Sequence, residues 1–172
     1  TRYIKGMQVF KDYLAVEQSI QGIESISIMP NHQPSYEICL PEKVASVGLG
    51  TNPEFTQKHL RIRYQSMITP GSVYDFDIAT RTLNMRKVRA VPSGYDKSQY
   101  QTERIMADAR DGTKVPVTLV YKKGYKKDGT QPLFLYHYGS YSFGLASDFS
   151  TTRLSLLYCG FDLSSAYVRV CD

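Results

Sequence analysis

The sequence predicts a mixed fold, with an antiparallel β meander first and an α/β unit after it. Three observations carry this. Apolar and polar residues alternate strictly through Leu60-Arg61-Ile62-Arg63-Tyr64-Gln65 and again through Tyr74-Asp75-Phe76-Asp77-Ile78, the period of half-buried strands. Breakers crowd into Val91-Pro92-Ser93-Gly94-Tyr95-Asp96, where the character of the chain changes. Beyond them a fully apolar run, Pro132 to Tyr136, is followed by a loop, a helical spacing and another strand, the order expected of α/β structure.

In chain order, Gln8 to Gln18, Ile23 to Ile28 and Tyr36 to Leu40 read as strands. Leu60–Gln65, Tyr74–Ile78 and Leu83–Arg86 follow, separated by the turn-length pieces Thr69-Pro70-Gly71-Ser72 and Ala79-Thr80-Arg81. Three such strands make a meander, and a spacing of about ten residues suits a sandwich, barrel or propeller. No helix is expected before residue 91. Glu103–Ala109 and Lys114–Lys122 pair across Arg110-Asp111-Gly112-Thr113, because Asp-Gly between two β patterns favours a hairpin. Asp148 or Ser150 can cap a helix carrying Leu154, Leu157 and Tyr158, which Gly160 ends. Leu163 to Val170 is a final strand.

Composition narrows the function classes. The chain has 172 residues, 42% hydrophobic and 12% aromatic, enough for a packed core. Its net charge of +5 comes from 21 basic and 16 acidic residues. Residues 1–90 hold 11 basic and 8 acidic side chains and the rest hold 10 and 8, so there is no basic domain and nucleic-acid binding is not expected. Cys39, Cys159 and Cys171 are far apart and odd in number, which disfavours structural zinc and a disulfide framework and fits a reducing, cytoplasmic setting. No apolar run approaches the ~20 residues of a membrane span. The start, TRYIKGMQVF, has no signal-peptide core and no initiator Met, and reads as the interior of a longer protein.

Among chemical candidates, Ser140-Tyr141-Ser142-Phe143-Gly144 nearly spells a nucleophile elbow. A true elbow needs glycine where Ser140 stands, a helix directly after the serine, and a later histidine. His32, His59 and His137 all precede Ser142, so Ser142 reads as a loop serine. The histidines have no ligand spacing, and no cofactor or metal is expected. Asp75 and Asp77 share a strand face, as a carboxylate pair or as a polar strand face. Tyr138 follows an apolar strand and precedes Gly139. Its phenol either packs or presents a donor to a reacting carbonyl.

Arg104-Ile105-Met106-Ala107-Asp108-Ala109-Arg110-Asp111-Gly112-Thr113-Lys114-Val115-Pro116 resembles the entry strands of the hydrolase domain in the prolyl oligopeptidase family. Tyr136-His137-Tyr138-Gly139-Ser140-Tyr141 resembles that family's Tyr-Gly-Tyr-Gly-Ser-Tyr loop. Gly50 to Phe55, Leu60 to Asp77, Tyr95 to Glu103 and Arg153 to Leu157 are similar to its oligopeptidase B branch. The resemblance is collinear over nearly the whole chain. It implies the closing blades of a β-propeller over 1–91, a linker over 92–101, and the opening strands and helix of an α/β-hydrolase domain over 102–172. It implies a serine peptidase cutting short peptides after Lys or Arg, with Tyr138 in the oxyanion hole. His137 and Ser142 stand where the family favours glycine, and Val170-Cys171-Asp172 departs from a glycine-rich continuation. The nucleophile, acid and base are not in this chain, which is expected to be inactive alone and to self-associate through uncovered apolar strands at Pro132–Tyr136 and Leu163–Val170. The other reading is a non-catalytic β-rich interaction module.

Overall fold

The computed structural model describes residues 2–126, 128–138 and 145–167. Three four-stranded sheets are built in chain order. The first is a meander of β1 (Arg2–Val9), β2 (Tyr13–Ile20), β3 (Ile23–Pro30) and β4 (Tyr36–Glu37). The second is a meander of β5 (Ser46–Leu49), β6 (His59–Gln65), β7 (Ser72–Asp77) and β8 (Leu83–Val88). A short 3-10 turn, Lys97–Gln99, leads into the third sheet, made of β9 (Tyr100–Asp108), β10 (Lys114–Lys122), β11 (Leu133–Tyr138) and β12 (Asp162–Tyr167), with one helix, α1 (Thr151–Tyr158), between the last two.

The alternation in β6 does what its period demands. Leu60, Ile62 and Tyr64 are buried while Arg61 and Arg63 point outward. With Val47 and Phe76 they meet Tyr13, Ala15, Ile26, Ile28 and Ile38 of the first meander, closing one apolar core between the two sheets. Tyr13 is buried in it, and burial pushes its phenol up to about 12. Gln8 to Gln18 is not one strand. The chain reverses at Phe10–Asp12, with Phe10 N–H bonded to Tyr13 O at 2.9 Å and the Phe10 ring stacked on Tyr13 at 4.5 Å. The polar pair Lys11-Asp12 supplies the tip of the turn, which alternation alone does not reveal.

The seam between the meanders also has a polar part. Glu24 accepts from Val47 N–H and Ser46 Oγ, each at 3.0 Å, and Glu17 accepts from Leu49 N–H. Two carboxylates of one sheet therefore close the open edge of β5 in the next, as edge strands require. Gly6 and Gly48 make the space, since a Cβ would stand 3.1 Å and 3.3 Å from the Glu17 carboxylate oxygens. Beside it, Lys5 pairs with Glu24.

In the third sheet β9 and β10 form the expected hairpin. Gly112 takes φ 80 and donates to Ala109 O at 2.9 Å, while Asp111 accepts from Thr113 N–H at 3.0 Å. β12 lies between β10, antiparallel, and β11, parallel. A parallel pair needs a crossover, and α1 supplies it. Ser150 is the N-cap, its Oγ accepting from Arg153 N–H, and Gly160 at φ 82 ends the helix. Leu154 and Leu157 are buried as the spacing predicts, but Tyr158 is mostly exposed. Leu163 through Ala166 is a buried inner strand, which corrects the expectation that its apolar face lacks cover. Leu133–Tyr138, by contrast, is exposed along its whole length at the sheet edge.

Candidate active site

Tyr138 is the last residue of β11 and pairs in register with Tyr167, the last of β12. It thus stands at the carboxyl end of the described part of two adjacent parallel strands, the side of an open α/β sheet on which ligands bind. Its side chain is 42% exposed.

Register fixes which way it faces. Arg104 pairs with Thr118, Thr118 with Ser165, and Ser165 with Tyr136. Directly paired residues share a face, so these four form one row across the sheet. Tyr138, two residues beyond Tyr136, is on the same face. Val120 and Leu163 are on it too, packed against Leu154 and Leu157 of α1 and against Met67 and Ile68 of the second meander. Tyr138 therefore belongs to the face that looks toward the first half of the chain. His137 alternates to the opposite face, so its bulk does not sit beside the Tyr138 ring.

Three polar contacts tie this face to the meanders. Arg104 donates from Nη1 to Thr118 Oγ1 at 3.0 Å and from Nη2 to Gln21 O at 2.6 Å. Gln21 and Gly22 form the β2–β3 turn, both at positive φ. Gln65 Nε2 donates to Asp148 Oδ1 at 2.8 Å. Tyr95 donates its hydroxyl to Ile68 O at 2.7 Å. Burial pushes the Tyr95 phenol well above its usual range and that of Tyr100 up to about 12, the neighbouring Tyr158 adding to the second. Both stay protonated near neutral pH; Tyr95 is a donor, and the Tyr100 ring packs against Tyr95 and Tyr158.

The other sequence candidates resolve differently. Ser142 and Cys171 lie outside the described residues, as do Gly139, Ser140, Tyr141 and the Val170–Asp172 end. Asp75 does not pair with Asp77 in a reactive couple. It accepts from Arg61 Nε and Nη2 at 2.8 and 3.1 Å and faces Arg86 Nε at 3.0 Å. The Arg61 hydrogen bond holds its carboxyl below the ordinary 3.8. Asp77 accepts from Ala79 and Thr80 N–H, each at 2.9 Å, capping the turn. His32 is exposed in a turn at φ 66, and His59 lies 3.5 Å from Asp77. Among the described residues no cluster could hold a metal, and no helix is long and apolar enough to cross a membrane. A cleft of about 490 Å³ lies between the meanders, but its carboxylates Glu17 and Glu24 are engaged with β5. Sequence reasoning did not single out Arg104, Thr118, Ser165, Gln65 or Asp148 as a group. The available signal was Thr118, a hydroxyl in the otherwise apolar centre of β10.

Comparison with known proteins bears on the whole chain. Residues 1–89 match the model of the prolyl oligopeptidase N-terminal beta-propeller domain. The chain belongs to the prolyl oligopeptidase family. The two meanders are accordingly blades of that propeller. Over 168 residues the chain is 38% identical to dipeptidyl aminopeptidase BI of Pseudoxanthomonas mexicana, covering 97% of this chain and 23% of the relative. It is 31% identical to protease 2 of Moraxella lacunata, covering 98% and 24%. Among solved structures, oligopeptidase B of Trypanosoma brucei with covalently bound antipain, in its closed form, superposes with a TM-score of 0.85 at 28% identity, over 96% of this chain and 25% of that one. Oligopeptidase B of Leishmania major gives the same TM-score and identity over 98% and 25%. The chain spans about a quarter of the length of these family members.

Proposed function

We propose that the chain supplies closing propeller blades, over 1–91, and the first strands and helix of an α/β-hydrolase domain, over 102–172, to a serine-type oligopeptidase. Residues 92–101 link them. The complete enzyme cuts short peptides after Lys or Arg, and Tyr138 donates its hydroxyl to the developing oxyanion. The observation that carries this reading is the place of Tyr138: the carboxyl end of a parallel strand, on the face turned toward the propeller. A fixed donor there stabilises the transition state more than the ground state. The parallel β11–α1–β12 crossover beside an antiparallel hairpin supports the hydrolase assignment. The names of the T. brucei and L. major relatives support the oligopeptidase B branch. With nucleophile, acid and base supplied from elsewhere, the chain alone is inactive.

The test is a chimaera in which this chain replaces the matching segment of the Moraxella protease 2. Tyr138→Phe keeps the ring and removes the hydroxyl, so kcat falls by roughly 10²–10³ with the melting temperature unchanged. Activity within about twofold of the parent reduces Tyr138 to a packing residue. A second reading rests on the Pseudoxanthomonas relative, whose name is that of a dipeptidyl aminopeptidase. Parallel assays with an N-blocked arginine reporter and a free-amino dipeptidyl reporter separate the two. A chain that folds, binds a partner protein and confers no activity in the chimaera favours the non-catalytic module.

A further inference from the structure

We propose that a cavity where the last propeller strand meets the linker is a binding site for a small amphipathic carboxylate, an apolar body ending in one carboxyl group. None of its lining residues takes part in the oxyanion reading above. The cavity holds about 350 Å³, near the lower end of the range that encloses small ligands. β7 and β8 supply Tyr74, Met85 and Val88 to its wall, and the chain after β8 supplies Val91 and Tyr95. Both sides are tied down. Arg89 N–H bonds to Gly71 O at 2.8 Å, so the chain stays joined to the start of β7 just past β8. A turn then follows, with Gly94 at φ 79 donating to Val91 O at 3.0 Å. Tyr95 closes it, its hydroxyl on Ile68 O at 2.7 Å and its ring stacked on Tyr100. The apolar wall is only partly dry: Met85 is 60% exposed and Val88 42%, so an apolar occupant would remove their surface from water.

The charges that line the cavity are all positive. Arg89 and Lys97 contribute to the wall and no acidic side chain does. Lys97 is already engaged, its ammonium 2.5 Å from Glu42, which also accepts from Thr69 Oγ1. The exposed Arg89 guanidinium has no hydrogen bond or ion pair among the described residues. A planar guanidinium donates to both oxygens of a carboxylate, whereas an ammonium in the same place is repelled. An occupant with an apolar body and a carboxylate end therefore satisfies the wall and Arg89 together. A fatty acid and the C-terminus of a short apolar peptide share this chemistry.

Equilibrium dialysis of the 172-residue chain against radiolabelled decanoate tests the site, with unlabelled decanoate and decylamine as competitors of matched length and opposite charge. Decanoate binds saturably, and decylamine displaces it at least about tenfold less well than unlabelled decanoate does. Arg89→Gln weakens binding about tenfold. Met85→Trp fills the cavity and abolishes binding, and both variants keep the parent's melting temperature by circular dichroism. Hydrogen exchange in the parent chain locates the site without any substitution: decanoate slows the amides within residues 91–99. N-acetyl-leucyl-phenylalanine separates the two sources. Displacement by it at lower concentration than by decanoate supports the site with a peptide C-terminus as occupant, and at higher concentration supports it with an acyl chain. Equal displacement by decanoate and decylamine overturns the carboxylate site. Undiminished binding in Met85→Trp, or unchanged exchange over 91–99, overturns the cavity as its place.

Discussion

Arg104 and Gln21 meet across the seam between the two halves of the chain: one guanidinium nitrogen donates to the Gln21 carbonyl at 2.6 Å while the other holds Thr118. Two donors in a rigid plane suit two acceptors at once, which an ammonium does not. Arg104→Ala lowers stability by about 2 kcal/mol, or roughly 4–8 °C in Tm. Arg104→Lys recovers no more than about half. Thermal melts by circular dichroism measure both.

Two glycines differ in steric need. Gly50 donates to Arg61 O at 2.8 Å, and a Cβ there would stand 2.8 Å from Arg61 Cγ and 3.1 Å from the same carbonyl. The carbonyl cannot retreat without breaking its bond, so Gly50→Ala costs about 2 kcal/mol. At Gly71 a Cβ meets only Gln65 Oε1 at 3.9 Å. Gly71→Ala is neutral or stabilises by about 0.5 kcal/mol. Urea denaturation distinguishes them.

Asp162 is buried at the start of β12, and burial raises its carboxyl above the ordinary 3.8, with the Tyr125 hydroxyl working the other way. A raised acid is better tolerated protonated in the folded state. Its contribution is therefore most favourable below 3.8 and is lost as pH rises through the raised value. Asp162→Asn removes the ionised form and stabilises the chain at pH 7. The gain vanishes in melts below about pH 3.8. A variant less stable than the parent at pH 7 contradicts this sign.

We expect the 172-residue chain alone to show no turnover of a Lys or Arg ester. Turnover above background that Ser142→Ala abolishes would restore the near-elbow as a nucleophile.

We further expect the isolated chain to self-associate through β11, whose Leu133, Leu135 and Tyr136 are each about half exposed on an edge strand. Leu135→Lys places a charge on that edge and shifts the population toward monomer in sedimentation velocity. Equal association of parent and variant removes β11 from the interface.

The parts of the fold that were legible in the sequence are those where one face is wet and the other dry. Leu60, Ile62 and Tyr64 announce β6 because Arg61 and Arg63 stand between them. The Asp111-Gly112 turn announces its hairpin by φ chemistry. β1 and β5 were missed. β1 is exposed along most of its length, and β5 is short, with Gly48 in it, so neither offers the contrast that alternation requires. Tyr138 could be singled out from the sequence by its place between an apolar run and a glycine. The face it occupies could not, because that depends on the register of four strands. The Gln65–Asp148 contact is harder still: two ordinary polar residues, far apart in sequence, acquire meaning only from the packing of Met67 and Ile68 beneath α1.

The carboxylates of Glu17 and Glu24 have a consequence for how such propellers change over evolutionary time. A blade lifted out with its own four strands leaves behind the groups that cap its first strand, because they belong to its predecessor. Duplication or exchange of single blades would bare the Val47 and Leu49 amides and crowd the carboxylates against a foreign surface. The segment that can be copied intact runs from the Glu17–Glu24 hairpin of one blade through the strand it caps in the next, so the unit of inheritance straddles the visible repeat.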